Sequence, residues 1–212
     1  MSNRILLAGT GTNVGKTVVS SILVEAMGWD YWKPISAGPT AEGDTQQVRE
    51  YITRSDITIH EPAYDLQHPQ SPHAAARLVG LELTENEIIP PSSAKTMLME
   101  MAGGALVPIN GQQLLLNILA PYTAGAIIVS RHVLGSINHT LLTVEALRSR
   151  NIPIYGLIFN GKSLPYSEEF LLDYTKLPCI GHLDEEPHIN SEVVQRYAIL
   201  WKKQLQFLSP MT

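Results

Sequence analysis

The chain has 212 residues, a length for one domain, with a core large enough to need no disulfide or metal staple. Fifteen basic against twenty acidic residues leave a net charge of −5, which argues against nucleic acid as a partner, and the single cysteine, Cys179, fits a reducing compartment. No apolar run reaches the roughly 20 residues that span a bilayer, and the opening MSNRILLAGTGTNVGKT lacks an apolar leader, so a cytoplasmic protein without a membrane partner is expected.

Short apolar runs alternate with helical patterns along the chain. Arg4–Ala8 reads as a buried strand ended by glycine, and Lys16–Met27 as a helix with Val18, Ile22, Val24 and Ala26 among its apolar positions. Tyr31–Lys33 is a short strand stopped by Pro34, and 43–51 a helix beginning near Asp44. The stretch 52–70 has no clear period and reads as irregular. Ser71-Pro72 opens a helix that runs to about Leu78, since serine caps a helix and proline suits its first position. Thr96–Met99 and Ala126–Ser130 are strands, Asn138–Arg150 a helix, and Ile154–Phe159 a strand that ends at the Asn160-Gly161 turn. Pro178–Ile180 and Val193–Phe207 read as a last strand and a last helix. This order predicts one α/β domain over 1–212: a doubly wound, mainly parallel sheet of five or more strands, with helices on both faces.

Gly9–Thr17 (GTGTNVGKT) lies between the first strand and the first helix. Small residues there let successive backbone N–H groups face one anion, and the helix N-terminus adds partial positive charge. Lys16 then reaches the terminal phosphates, and the Thr17 hydroxyl suits Mg²⁺. Five residues separate Gly9 from Gly15, one more than in the standard pattern. Glu100 follows a strand at the edge where ligands collect in open α/β sheets, with Gly103-Gly104 behind it leaving room for phosphate or substrate. Spacing alone leaves three residues open: Glu100 as metal ligand or solvated strand-end carboxylate, Asp44 as ligand or helix cap, Lys33 as catalytic or solvated. The seven histidines have no metal-binding spacing and read as structural or surface residues, His182 and His188 in a loop.

Taken in order, Gly9–Thr17, 31–38 (YWKPISAG), Asp44, 71–74 (SPHA), 100–109 (EMAGGALVPI), 135–142 (GSINHTLL) and 156–161 (GLIFNG) resemble the dethiobiotin synthetases, a P-loop NTPase-like family. The five-residue gap is itself a feature of that family. The resemblance implies a homodimeric cyclo-ligase that uses ATP with Mg²⁺ to carboxylate 7,8-diaminononanoate with CO₂ and close a ureido ring, leaving ADP and phosphate. It implies that Asn13, Val14, Gly15, Lys16, Thr17 and Val18 wrap the phosphates, and that Thr17, Asp44 and Glu100 hold Mg²⁺. Met101, Ala102 and Gly103 border the nucleotide, Asn160 recognises adenine, and Leu183, within 181–185, lies along the base. Lys33 matches the catalytic lysine, Lys16 assists it, and Thr12 lies beside the reacting phosphate. Ser36 and Ala37 face the substrate, while Gly135, Ser136 and Asn138 reach the substrate tail in the other subunit. Three positions depart from the family pattern: Ala37 stands where serine is usual, Met101 where glycine is, and Gly-His-Leu-Asp at 181–184 where Gly-Glu-Ile-Pro is. Two other readings are an ATP-dependent amidation enzyme of the same loop class and, from a different functional class, a nucleotide-dependent switch. An amidation enzyme needs a glutaminase domain for which this chain has no room, and a nucleotide switch commonly carries an early loop lysine where this chain has Thr10-Gly11-Thr12.

Overall fold

A computed structural model describes residues 3–39 and 43–208; residues 1 and 2, at the head of the stretch read for a leader, lie outside the described residues. The chain runs β1 (Arg4–Gly9), α1 (Lys16–Met27), β2 (Asp30–Trp32), β3 (Ile35–Ala37), α2 (Asp44–Tyr51), β4 (Ile59–His60), β5 (Tyr64–Leu66), α3 (Pro72–Leu78), β6 (Met97–Glu100), α4 (Leu115–Leu119), β7 (Gly125–Arg131), α5 (Ser136–Arg148), β8 (Ile154–Asn160), α6 (Pro165–Thr175), β9 (Cys179–Leu183) and α7 (Ser191–Trp201). Seven strands form one sheet in the order β4-β2-β6-β1-β7-β8-β9. Every pairing in it is parallel. β3 and β5 form a separate parallel pair.

Alternating strand residues feed two cores, because successive side chains of a strand point to opposite faces. Leu6, Met97, Met99, Ile128, Leu157 and Phe159 pack with Val144, Leu147 and Leu171 from α5 and α6. Ile5, Leu7, Leu98, Ile127, Val129 and Ile158 pack with Ile22 and Leu23 of α1 and with Val194, Ala198 and Trp201 of α7. Both faces are therefore covered, as the near-continuous apolar runs require. No helix among the described residues is long and apolar enough to cross a membrane.

The observed elements correct the sequence reading at several points. The irregular stretch 52–70 contains β4 and β5, two strands of two and three residues that are too short to show a period. β3, α4 and α6 were not foreseen, although Pro165 at the start of α6 is the same signal that marked Pro72. The last strand extends to Leu183, so His182 is on β9 rather than in a loop. The last helix is α7, which ends at Trp201; Gln206–Leu208 is a separate 3₁₀ turn. Asp44 is the first residue of α2, with Gly43 in the cap position, so its carboxylate is not the cap.

Candidate active site

The phosphate loop leaves β1 at Gly9 and enters α1 at Lys16. A Cβ on Gly9 would sit 2.8 Å from Val14 Cγ2 and 2.9 Å from Lys16 Cδ, so only glycine lets the loop fold back over itself. Asn13 and Gly15 both have positive φ, 57° and 93°. Glycine takes this conformation freely and asparagine at modest cost. The Lys16 ammonium donates to Gly11 O at 2.8 Å. Asn160 Nδ2, from the end of β8, donates to Val14 O at 2.9 Å, which joins the residue expected at adenine to the loop itself. Burial, opposed only in part by Glu100, lowers the Lys16 ammonium to about 8.

Beside the loop, the carboxyl ends of β2 and β6 and the start of α2 converge. Glu100 is wholly buried, not a solvated strand-end carboxylate. Its Oε2 accepts from Ser20 Oγ at 2.6 Å and from the Tyr31 hydroxyl at 3.0 Å, while Oε1 accepts from Lys33 Nζ at 3.0 Å and Thr17 Oγ1 at 3.3 Å. Lys33 and Thr17 each donate also to Asp44. Burial alone would lower Lys33, yet Glu100 and Asp44 outweigh it and hold the ammonium above the ordinary lysine value. Burial likewise opposes ionisation of Asp44, but Lys33 beside it keeps that carboxyl below its usual range. Burial and the Glu100 charge push the Tyr31 phenol well up, so it remains a donor. Two carboxylates and one hydroxyl thus face a common point where the Lys33 ammonium lies. Hard oxygen donors of this kind fit Mg²⁺.

Lys16, Thr17, Lys33, Asp44 and Glu100 line a cavity of about 900 Å³ together with Thr12, Asn13, Gly15, Val18, Ala102 and Gly103. Apolar residues line it too, among them Ile35, Ala37, Pro39, Pro69, Leu106 and Val107. Ala37 therefore faces the cavity, while its neighbour Ser36 is buried and outside the lining. Met101 is buried in the core next to the lining, and Leu183 is buried on the α7 side of the sheet. Gly135, Ser136 and Asn138 form the start of α5, with Gly135 as its cap, and lie outside this cavity.

A family model described as an AAA domain matches residues 3–193. The ATP-dependent dethiobiotin synthetase BioD of Christiangramia forsetii is 40% identical over 205 residues, covering 97% of this chain and 99% of its own length. The chain belongs to the dethiobiotin synthetase family. The BioD enzyme of Chlamydia pneumoniae is 41% identical over 201 residues, covering 94% of this chain and 90% of its own. Among solved structures, the Pyrococcus furiosus cell division ATPase MinD superposes with a TM-score of 0.61 at 14% identity, over 99% of this chain and 100% of that one. The ParA family ATPase of Chlorobium tepidum gives 0.57 at 10% identity, over 100% and 95%. These last two share the fold.

This dethiobiotin synthetase family member also carries site residues that the sequence did not disclose. Ser20 and Tyr31 hold Glu100 through hydroxyls, and Arg131, last in β7, donates from Nη1 to Asn13 O at 3.0 Å. Ser20 lies one helical turn after Lys16, which puts it on the same face of α1, and that spacing was a signal available in the sequence. The fold also brings His132 and His182 to Glu168, although their spacing showed no cluster. Glu168 Oε1 accepts from Ser163 Oγ, Leu164 N and His132 Nε2 at 2.8–2.9 Å, a polar cap on the start of α6. Burial holds the His132 imidazole below its ordinary value there.

Proposed function

We propose that the protein is an ATP-dependent cyclo-ligase that forms dethiobiotin from 7,8-diaminononanoate, CO₂ and MgATP. One observation carries this reading: two lysines and two carboxylates line one cavity together with the apolar side chains of Ile35, Ala37, Leu106 and Val107. A nucleotide triphosphate suits the charged groups, and the hydrocarbon of a diamine suits the apolar side chains of Ile35, Ala37, Leu106 and Val107. In the reaction, one amine adds CO₂ to give a carbamate, whose oxygen takes the γ-phosphoryl group. The second amine then attacks the carbamoyl carbon, phosphate leaves, and the ring closes.

The chain supplies position and charge, and no protein nucleophile is needed. The loop N–H groups and Lys16 hold the phosphates. Lys33 lines the cavity beside Asp44 and Glu100, where it can meet negative charge that develops on the carbamate and on the transferring phosphoryl oxygens. Thr17, Asp44 and Glu100 would hold Mg²⁺, which supplies charge neutralisation on the phosphates. Asn160 and the segment through Leu183 serve the base.

We further read the active species as a homodimer, because Gly135, Ser136 and Asn138 lie outside this chain's own cavity and suit a partner's site. Incubation with ATP, bicarbonate and diaminononanoate, followed by mass detection of dethiobiotin and phosphate release, tests the reading. Phosphate release indifferent to the diamine, without product, would overturn it in favour of a nucleotide switch. Light scattering that shows a fully active monomer would overturn the dimer.

A further inference from the structure

Four of the loop's backbone carbonyls accept hydrogen bonds, three of them from groups outside the cavity lining. Gly11 O accepts from Lys16, Asn13 O from Arg131, Val14 O from Asn160, and Gly15 O from the N–H of Val19 in α1. In a trans peptide, the C=O and the following N–H point in opposite directions. Fixing the Asn13, Val14 and Gly15 carbonyls outward therefore turns the N–H groups of Val14, Gly15 and Lys16 the other way, toward the cavity where an anion binds. Three of the four fixing groups have a local origin or a role already assigned. Arg131 has neither: it is exposed, it sits outside the cavity lining, and it comes from β7, more than a hundred residues away.

We infer that Arg131 is a positioning residue of the nucleotide site, which sets the orientation of the 13–14 peptide and so the affinity for the triphosphate. This rests on the ATP reading above. The peptide it grips needs such a grip. Asn13 holds a left-handed φ of 57° that costs a non-glycine residue energy, and Gly15, two residues on at 93°, is free to take other conformations. A hydrogen bond from a guanidinium to a backbone carbonyl is charge-assisted and so stronger than a neutral one. Because Arg131 touches loop backbone and not the cavity, its effect falls on ground-state binding of the nucleotide and not on the chemical step.

Arg131→Ala and Arg131→Lys are compared with the unaltered enzyme by calorimetric ATP binding and by steady-state turnover. The expected result for Arg131→Ala is a three- to tenfold (roughly the worth of one such bond) rise in both Kd and KM for ATP, with kcat within about twofold. Arg131→Lys, which retains a donor, recovers part of the loss. The ratio persists in about 0.5 M salt, because it reflects loop geometry and not long-range attraction, which is screened there. Unchanged Kd and KM, a loss confined to kcat, or a ratio that falls to one in high salt would each overturn the inference. An unaltered protein that binds no ATP would instead defeat the functional reading itself, so the two failures are distinguishable.

Discussion

Replacing Lys33 by glutamine removes the cation that lies between Asp44 and Glu100 and leaves two carboxylates facing each other. Glu100 is wholly buried, and the side chain of Asp44 is 34% exposed. Breaking a buried ion pair by removal of one partner commonly costs about 3–5 kcal/mol. The lower end applies here, because Asp44 is partly solvated and the glutamine amide still offers one donor to Glu100. About 3 kcal/mol corresponds to a fall of roughly 6–12 °C in melting temperature for a chain of this size. A divalent cation that binds these same carboxylates replaces the lost charge, so Mg²⁺ alone, without nucleotide, stabilises Lys33→Gln more than the unaltered protein. Thermal melts with and without Mg²⁺ read this directly. Turnover at saturating substrates falls by about 10²–10³, since glutamine cannot neutralise charge on the phosphoryl oxygens. Equal Mg²⁺ shifts in both proteins would refute the idea that the lysine and the metal share these ligands. Unchanged turnover would show that Lys33 is an ordinary strand-end lysine.

Tyr31→Phe removes one of the two donors to Glu100 Oε2 while Ser20 remains as the other. The expected cost is about 2 kcal/mol of stability and a several-fold higher Mg²⁺ requirement, read by melting and by Mg²⁺ titration of turnover. Lys16, with its ammonium lowered to about 8, is partly neutral in the free protein above that pH, whereas a bound triphosphate favours the charged form. ATP binding therefore takes up protons above pH 8 and weakens as the pH rises through this range. Calorimetry in buffers of different ionisation enthalpy measures the uptake, and Lys16→Ala abolishes it together with most of the binding.

The nucleotide half of the site was legible because its signal is local. Gly9, Gly15, Lys16 and Thr17 act through spacing along one strand, turn and helix, and the sequence carries that spacing directly. The same holds for α1 and α3, whose observed ends coincide with the predicted ones. Spacing shows Glu100 and Asp44 as carboxylates but not as a pair, which only the family resemblance implies, since their convergence depends on β6 lying between β1 and β2. The burial of Glu100 depends on hydroxyls from α1 and β2, which no window of sequence around it contains. β3 and β5 escaped because three residues show no period, and their pairing joins segments about thirty residues apart. Arg131 gave no sign at all: an arginine after a β-branched run is unremarkable until the loop lies against it.

Lys33 stands where the chain leaves the large sheet for the small one, with β2 ending at Trp32 and β3 beginning at Ile35. The intervening Pro34 has a fixed φ, and its carbonyl accepts from the N–H groups of both Ala63 and Tyr64. The backbone on which the ammonium is mounted is thus anchored to both sheets, and only the four-carbon stem is left to turn. Transfer of the ammonium from the carboxylates to a reacting phosphoryl group then needs side-chain torsions and no loop opening. The cost of relocation then falls on the two ion pairs that the ammonium leaves, to Asp44 and Glu100, and the strands on either side of Lys33 keep their places.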